Sequence, residues 1–292
     1  MISGFLQGGL GNQLFILFAT IAYAIQNKQP ILFYYSEKLT NGCTLRYTYW
    51  DTFLSSIKGL TTVQPITNGI KMIKEQTEGK YNELDKVSGS AILYGYFQSY
   101  KYFNEEYAEI SHMIGISDMR DKYCEWFRMN GLDKSKTISM HFRIGDYKSL
   151  NIPTLPLTYY INCLTYIVTT LNIPDLTILY FCEKENVEEV NLQITEIQSQ
   201  FGNCKFKYCN ILNQSTNQPT EQSNRPHQII GIPEDEMIIM SICKYNIIAN
   251  STFSWWSAYI GYMEDLDTHI VCYPSITNPD LYPESWKKIE YI

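Results

Sequence analysis

The 292-residue sequence has no surplus of positive charge. Its 23 lysines and arginines are outnumbered by 30 aspartates and glutamates, which gives a formal net charge of −7. A protein whose main partner is nucleic acid needs a broad basic surface to neutralise the phosphate backbone. The composition therefore disfavours nucleic acid as the main partner, although a small basic pocket for one nucleotide remains compatible with it.

Metal-binding and disulfide patterns are also missing. The eight cysteines are scattered without a C-x-x-C pair, and the four histidines are too dispersed for any two to have the spacing of metal ligands. Scattered cysteines within apolar runs are typical of reduced thiols in the core of a cytoplasmic protein. We expect no structural zinc and no disulfide framework.

Long apolar segments are absent as well. The longest early run, Leu14–Ile25, is interrupted by Thr20 and is too short to cross a bilayer. The first residues, Met1–Gln7, lack the charged region and long apolar stretch of a signal peptide. The expectation is a cytoplasmic protein with no membrane span, and 45% hydrophobic residues are enough for two globular lobes.

Strands and helices alternate along much of the chain. The strand Phe5–Leu6, a glycine turn, the helix Leu14–Ile25 and the strand Pro30–Tyr34 form a predicted βαβ unit. Residues 43–131 are less regular, with a strand predicted at 91–94 and a helix at 102–113. Regular alternation then resumes at Thr137, with strands predicted at 137–142, 176–181, 205–208, 246–249 and 270–273 and helices at 157–171, 187–201, 234–243 and 253–262.

This alternation predicts an α/β fold with a doubly wound parallel sheet in the second half. We divide the chain near Asp133 into an N-terminal lobe, residues 1–133, and a C-terminal lobe, residues 134–292. The polar stretch Asn210–Pro233 cannot bury enough apolar area to form a regular element. It is either an inert insertion or a lid over an active site, and both interpretations stay open.

The segment His141–Tyr147 follows a predicted buried strand, where an α/β sheet presents side chains to a ligand. Arg143 can direct parallel N–H donors at a diphosphate and stays charged while the leaving group gains negative charge. The alternative for this segment is a plain salt bridge between Arg143 and Asp146.

The segment Asn250–Trp256 carries hydroxyl groups to the start of a predicted helix. The free N–H groups and the positive end of the helix dipole, together with Ser251 and Thr252, form a predicted anion site. The alternative is an ordinary N-cap, a role that Ser and Thr often fill. We assign Trp255 and Trp256 to the core.

The segment Gln7–Gln13 joins the first strand to the first helix. Its glycines allow a ligand to approach the backbone, and Asn12 and Gln13 offer amides for polar contacts. The glycines do not follow the G-x-G-x-x-G spacing of dinucleotide folds, which disfavours a nicotinamide cofactor and hence a dehydrogenase. The alternative is a tight turn without a ligand.

One apparent metal motif is misleading. Asp265–Asp267 matches the D-x-D of metal-dependent glycosyltransferases, but it precedes a predicted strand instead of following one. We interpret it as a solvated acidic turn.

Together the three segments resemble glycosyltransferase family 11, the galactoside α-1,2-fucosyltransferases, over nearly the whole chain. The family's first motif is matched at residues 8–15, and its late motif is matched almost residue for residue at 247–256. Three positions depart from the pattern, because Ile144 replaces a second arginine, Glu236 stands for the usual acidic residue and Tyr245 for a common histidine. The middle motif is matched at His141, Arg143, Gly145, Asp146 and Tyr147.

The resemblance implies a GT-B fold of two Rossmann-type lobes with the active site in a cleft between them. It implies metal-independent transfer of L-fucose from GDP-fucose to a galactose-terminated glycan, with inversion. Arg143, Asp146 as the first candidate base and Asn12 form the implied catalytic set, and Glu183 and Glu185 are carried over as ribose or guanine contacts. The implied donor-binding residues are His141, Arg143, Glu183, Asn250, Ser251, Thr252, Phe253, Gly9, Gly11 and Gln13.

Two other functions remain open at this point. The motifs concern the diphosphate more than the sugar, so another linkage or another GDP-sugar is possible within the same chemistry. The second is a degenerate transferase that only binds GDP or carbohydrate, which Ile144 makes conceivable. Intact Arg143 and Asp146 argue against such decay.

Overall fold

The computed structural model describes residues 1–39, 45–65, 69–209, 233–275, 278 and 280–291. The chain divides into two compact units, Met1–Met119 with Thr277–Ser285, and Arg120–Ile276 with Trp286–Ile292. The division thus falls before the predicted Asp133. One reason is local, because Arg120 Nη1 donates to the carbonyl of Ser241 in the second unit at 2.7 Å.

The first unit contains a small parallel sheet. In this sheet β7 (Ala91–Tyr94) lies between β1 (Ile2–Gly4) and β6 (Lys71–Lys74), and a separate parallel pair joins β2 (Phe33–Tyr34) to β5 (Thr61–Thr62). An isolated bridge joins Ile2 of β1 to Ile31, just before β2. The elements are β1 (Ile2–Gly4), α1 (Leu10–Gln26), β2 (Phe33–Tyr34), β3 (Lys38–Leu39), β4 (Arg46–Tyr47), β5 (Thr61–Thr62), β6 (Lys71–Lys74), β7 (Ala91–Tyr94) and α2 (Tyr107–Ile114).

The predicted βαβ unit is present with shifted bounds. The first strand lies at Ile2–Gly4 instead of Phe5–Leu6, and α1 begins at Leu10 instead of Leu14. The helix begins earlier because Gly9 is its N-cap and accepts the N–H of Gln13 at 3.0 Å. Polar residues are acceptable in this first turn, so the apolar periodicity began too late to reveal it.

The apolar run in α1 is the core of the first unit. Residues 14–24 of the helix are all buried. Phe15 and Phe18 pack against Phe103, with ring centroids 5.9 and 5.3 Å apart. No helix in the described part of the chain is both long and apolar enough to cross a membrane.

The less regular region ends in two consecutive helices. The predicted helix at 102–113 is shorter, at Tyr107–Ile114, and is followed by α3 (Ile116–Met129), which the sequence did not reveal. Gly115 separates them with φ +80°, a left-handed conformation that glycine adopts without steric cost. Its N–H bonds the carbonyls of Ser111 and His112 and so ends α2.

The second unit contains a six-stranded, fully parallel sheet in the order β10-β9-β8-β11-β12-β13. Counted along this unit the order is 3-2-1-4-5-6, that of the doubly wound nucleotide-binding sheets, and it reverses between β8 and β11. The elements are β8 (Thr137–His141), α4 (Gly145–Ser149), α5 (Leu157–Leu171), β9 (Thr177–Phe181), α6 (Val187–Gln200), β10 (Lys205–Tyr208), α7 (Pro233–Ile242), β11 (Tyr245–Ile247), α8 (Thr252–Glu264), β12 (Ile270–Pro274) and β13 (Lys287–Ile289).

The predicted doubly wound sheet is therefore confirmed, with every predicted element of this half found within two residues of its bounds. Trp255 and Trp256 are fully buried, as expected of core residues. The cysteines that the structure describes are all free thiols, whereas Cys43 lies outside the described residues. Residues 210–232 of the polar stretch also lie outside them, so the insertion and lid interpretations are untested.

Candidate functional site

Two of the three predicted motifs meet at the point where the strand order reverses. The segment after β8 contains Arg143, the segment after β11 contains Ser251, and these strands are neighbours in the sheet. In open α/β sheets, ligands bind in the crevice outside the carboxyl ends of such strands. The hydroxyl of Tyr147 donates to the carbonyl of Asn250 at 2.6 Å and so links the two segments.

Arg143 is held by two carboxylates. Its Nη2 donates to Asp146 Oδ1 at 2.6 Å, its Nη1 donates to Glu183 Oε1, and its guanidinium lies 5.4 Å from the ring centroid of Tyr147. The salt bridge to Asp146 is thus present, as the alternative interpretation expected. It does not exclude a ligand, because a guanidinium has five N–H donors and this side chain is 23% exposed.

Glu183, which follows β9, accepts hydrogen bonds from the segment between β8 and α4. Its second carboxylate oxygen accepts the backbone N–H of Gly145 at 3.2 Å. A Cβ on Gly145 would lie 2.8 Å from the carboxyl carbon of Glu183, so a side chain at this position would displace that carboxylate. The resemblance implied a contact between Glu183 and ribose or guanine. In the structure Glu183 accepts hydrogen bonds from Arg143 and from the N–H of Gly145. Glu185 is exposed within the short turn Lys184–Asn186.

Ser251 is the N-cap of α8. Its hydroxyl oxygen accepts the N–H of Phe253 at 3.3 Å, and the helix continues from Thr252 for 13 residues. The N-cap interpretation of Ser251 is therefore correct. It leaves the anion-site prediction intact, because the positive end of the helix dipole still points into the same crevice.

Asn250 combines a structural bond with a buried acceptor. Its Nδ2 donates to the carbonyl of Pro153 at 3.0 Å. Its Oδ1 is buried and accepts no hydrogen bond from the described residues. Buried polar atoms nearly always have a partner, so this oxygen is suited to a ligand or water donor.

His141, the last residue of β8, is buried and neutral. Burial, followed by the nearby charge of Arg143, lowers the pKa of His141 to about 3. Its ring lies 5.8 Å from that of Phe253, and its Nδ1 has no partner among the described residues. An imidazole whose pKa is lowered in this way is neutral near neutral pH, so its Nδ1 suits a polar contact with a ligand.

Glu236 is an acidic residue that the sequence analysis noted only as a departure from a motif. It lies in the first turn of α7, where burial, followed by the neighbouring charges of Glu183 and Asp235, raises its pKa to about 7. A carboxyl group with a perturbed pKa near a crevice is a frequent feature of functional sites. The run Glu234–Glu236 at a helix start was the signal in the sequence.

Ile144 occupies the position of the missing second arginine. Its side chain is 3% exposed and belongs to the hydrophobic core of the sheet. The departure therefore leaves no unpaired charge and no gap beside Arg143. Tyr245, the third departure, is likewise buried, within β11.

The glycine turn belongs to the first unit and is described separately. Gly8 has φ +74°, and a Cβ there would meet the Asn12 amide nitrogen at 2.5 Å, so this position requires glycine. Gly9, in contrast, faces open space, because a Cβ there would meet nothing within 4 Å. Gly11 is buried within α1.

The two amides after these glycines stabilise the turn. Gln13 is fully buried and its Nε2 donates to the carbonyls of Gly8 at 2.9 Å and Tyr47 at 2.8 Å. Asn12 Oδ1 accepts the Nε2 of Gln98 at 3.1 Å. The tight-turn interpretation is thus correct, and ligand contacts by Gly9, Gly11, Asn12 and Gln13 stay predictions.

The D-x-D segment is a solvated acidic turn, as predicted. Asp265 pairs with Lys244 and accepts the hydroxyl of Thr268 at 2.8 Å. Hydrogen bonding from Lys244, and then from Thr268, lowers the pKa of Asp265 to about 2. Within the described ranges, no three His, Cys, Asp or Glu side chains lie close enough to hold a metal ion.

Comparison with known proteins points to sugar transfer. The chain is 26% identical to an Escherichia coli alpha-1,2-colitosyltransferase over 98% of this chain and 97% of the relative. It is 26% identical to the E. coli O-antigen biosynthesis glycosyltransferase WbnK over 62% of this chain and 54% of that protein. The structure of POFUT1 in complex with GDP-fucose aligns over 93% of this chain and 96% of its own, with a TM-score of 0.46 and 11% identity. No family model matches the sequence.

Both curated relatives are glycosyltransferases, and one is similar over nearly the whole chain. The chain is accordingly a glycosyltransferase, with a doubly wound sheet whose ligand crevice holds an arginine and a helix N-terminus. The prediction of a glycosyltransferase is confirmed, whereas the galactoside acceptor, the 1,2-linkage and the fucose donor stay predictions.

Proposed function

We propose that the chain is an inverting fucosyltransferase, which transfers L-fucose from GDP-fucose to the 2-hydroxyl of a terminal β-galactoside. The observation that carries this proposal is the meeting of Arg143 and the α8 N-terminus at the reversal of the strand order. Both groups favour a diphosphate, the common part of GDP-sugars. The 1,2-linkage is supported by the relative that bears an α-1,2 name.

In this proposal Arg143 binds the diphosphate and stabilises it as it leaves. The bond to the sugar breaks as negative charge grows on the phosphate, and a guanidinium in place beforehand lowers that barrier. The acceptor oxygen attacks from the opposite face, which inverts the configuration through an oxocarbenium-like transition state. The α8 N-terminus and the hydroxyl groups of Ser251 and Thr252 supply further donors.

Glu183 and Asp146 take positioning roles towards Arg143. Together they place two negative charges on one guanidinium, and an incoming diphosphate adds more. Arg143 must then exchange one carboxylate for phosphate oxygens, and Glu183, attached to a different strand, is the partner released. Asp146 remains the first candidate for the base, and its hydrogen bond to Arg143 holds its carboxylate in place.

The rest of the proposal concerns the acceptor and the metal. Asn12, in the glycine turn, orients the acceptor or the donor within a GT-B arrangement, with the acceptor bound on the side of the N-terminal unit. Arg143 and the α8 N-terminus supply the charge that a divalent ion supplies in other transferases. The reaction is therefore proposed to need no metal.

The test is product formation from GDP-fucose with a panel of β-galactosides in excess EDTA. Wild-type protein is compared with Arg143→Ala and with Arg128→Ala, a matched control on the surface of α3 that pairs only with Glu125 among described residues. The proposal predicts product from the wild type and the control and a loss of about 10²- to 10³-fold in the Arg143 variant. Binding of GDP without transfer to any galactoside would instead favour the binding-protein alternative.

A second candidate differs only in the sugar. The relative similar over the whole chain is named for colitose, so the GDP-linked form of that sugar is the competing donor. Direct competition between the two donors, with product mass as the readout, decides between them.

The Asp146→Asn variant tests the base, because near-normal turnover would leave Asp146 with a positioning role alone.

A further inference from the structure

A cavity of about 470 Å³ lies in the first unit, beside the C-terminal half of α1. Its floor is formed by Ala19 and Tyr23 of α1 and by Tyr102, which are all buried. Its wall is the segment Tyr81–Lys86, which has no regular secondary structure. The volume is within the range of small-ligand sites and suits one or two sugar rings.

Hydrogen bonds fasten this wall to the floor at defined points. The hydroxyl of Tyr23 donates to the carbonyl of Asp85 at 2.6 Å, and the hydroxyl of Tyr102 accepts the N–H of Asn82 at 3.1 Å. The rings of Tyr81 and Tyr102 lie 4.9 Å apart. An irregular segment tied down at three points forms a cavity before any ligand arrives, which lowers the ordering cost of binding.

The lining carries a small excess of negative charge. Glu83 and Asp85 contribute two carboxylates, and Lys86 and Lys101 contribute two ammonium groups, but Lys101 pairs with Asp280 at 2.5 Å. This excess disfavours a phosphate, a nucleotide or another anion. A ligand without negative charge suits the cavity.

The remaining lining excludes an apolar ligand. Gln26 and Asn27 bring amides to the rim, whereas Ala19 and Leu84 are the aliphatic members of the lining. Tyrosine rings provide faces for C–H groups, and carboxylates and amides provide acceptors and donors for hydroxyl groups. A ring with one apolar face and many hydroxyl groups matches both requirements.

We propose that this cavity binds a neutral sugar unit of a glycan, as a second carbohydrate site in the first unit. The glycine turn lies at the opposite end of α1, a 17-residue helix about 25 Å long. The cavity is thus separate from the predicted acceptor contacts of Asn12. If the bound sugar unit belongs to the acceptor, the cavity is a second acceptor contact, a consequence that rests on the proposed function.

The test uses protein labelled with 3-fluorotyrosine, in which Tyr81 reports on the cavity. Its ¹⁹F resonance is identified as the one missing from a Tyr81→Phe sample. Lactose and cellobiose are titrated as neutral probes, and galacturonic acid serves as the charged comparator. The proposal predicts a saturable shift of this resonance with a neutral probe and none with the charged one.

Variants locate the binding site. The double variant Glu83→Ala/Asp85→Ala should weaken the sugar affinity at least about tenfold, because each substitution removes a hydrogen-bond acceptor. Both side chains are exposed, so the fold should tolerate their truncation. Leu84→Trp should do the same by filling the space without a change of charge. Glu109→Ala, an exposed carboxylate on α2 outside the lining, is the matched control and should leave the affinity unchanged.

Sugar binding in the cavity can be measured independently of glycosyl transfer. Arg143→Ala, measured without any donor, should show the same Tyr81 shift as the wild type, so loss of catalysis and loss of the cavity site are separable. An unmoved Tyr81 resonance through the titrations, equal binding of galacturonic acid, or full affinity in the Glu83 and Asp85 variant would each overturn the proposal.

Discussion

The guanidinium of Arg143 donates to the carboxylate of Glu183, 40 residues further along the chain, which also accepts the N–H of Gly145. The three residues lie at the carboxyl ends of the neighbouring strands β8 and β9. This contact holds the guanidinium of Arg143, the positive charge of the crevice, in one position. It also means that a diphosphate must compete with a carboxylate for the same guanidinium.

The first prediction concerns that competition. Glu183→Gln should bind GDP at least as tightly as the wild type, because one negative charge leaves the site, while the transfer rate should change little, because Arg143 releases Glu183 when the diphosphate binds. Equilibrium binding and single-turnover rates measure the two effects separately. Glu189→Gln, which alters a carboxylate paired with Lys148 nearby, is the control. A large loss of GDP affinity would show that Glu183 contacts the nucleotide instead.

The second prediction concerns Gly145. An alanine Cβ there would lie 2.8 Å from the carboxyl carbon of Glu183, so Gly145→Ala should push Glu183 away and cost about 1–3 kcal/mol of stability. Activity should fall along with it. Gly202→Ala is the matched control, since a Cβ there meets nothing within 4 Å. Denaturant unfolding of both variants measures the difference, and equal stabilities would contradict the packing argument.

The third prediction follows from the pKa of Glu236, which burial raises to about 7. The folded protein favours the protonated form, so this group's contribution to stability is complete below its unfolded pKa of about 4.5 and is lost as the pH rises through 7. Glu236→Gln cannot ionise and should therefore gain stability over the wild type with rising pH, by roughly 3 kcal/mol at pH 8.

Unfolding free energies measured at several pH values between 4.5 and 8 test this difference. Glu188→Gln, an exposed carboxylate in the first turn of α6, controls for the loss of a charge at a helix start. A constant difference between Glu236→Gln and the wild type across this range would mean that Glu236 has an ordinary pKa.

The fourth prediction separates the two roles of Ser251. Ser251→Ala should cost about 1 kcal/mol through loss of the N-cap, whereas Ser251→Gly should cost only a few tenths, because glycine also caps helices. If the hydroxyl also donates to the diphosphate, both variants should lose GDP affinity to the same extent despite their different stabilities. Affinities that follow stability would leave Ser251 as a cap alone.

The second half of the fold was predictable because its central strands β8, β9 and β11 are almost wholly buried, and helices such as α5 and α6 bury one face. The outer strand β10 instead alternates exposed and half-buried residues, and both α5 and β10 begin and end at the predicted residues. The first half was harder, since β2 to β5 are two residues long and α3 is a mostly polar helix. The missed strand β13 has only three residues, two of which are exposed lysines.

What the sequence by itself determined is the chemistry at each loop: which residues follow the buried strands, and hence that Arg143, Asp146 and Ser251 were candidates. The order of the strands, and the side chains that each candidate contacts, were decided only by the tertiary structure. Local patterns carry periodicity and turn preferences, but they contain no distance between residues 40 or 100 positions apart. The contact between Arg143 and Glu183 exists because β9 pairs beside β8, and that pairing depends on the packing of the whole sheet.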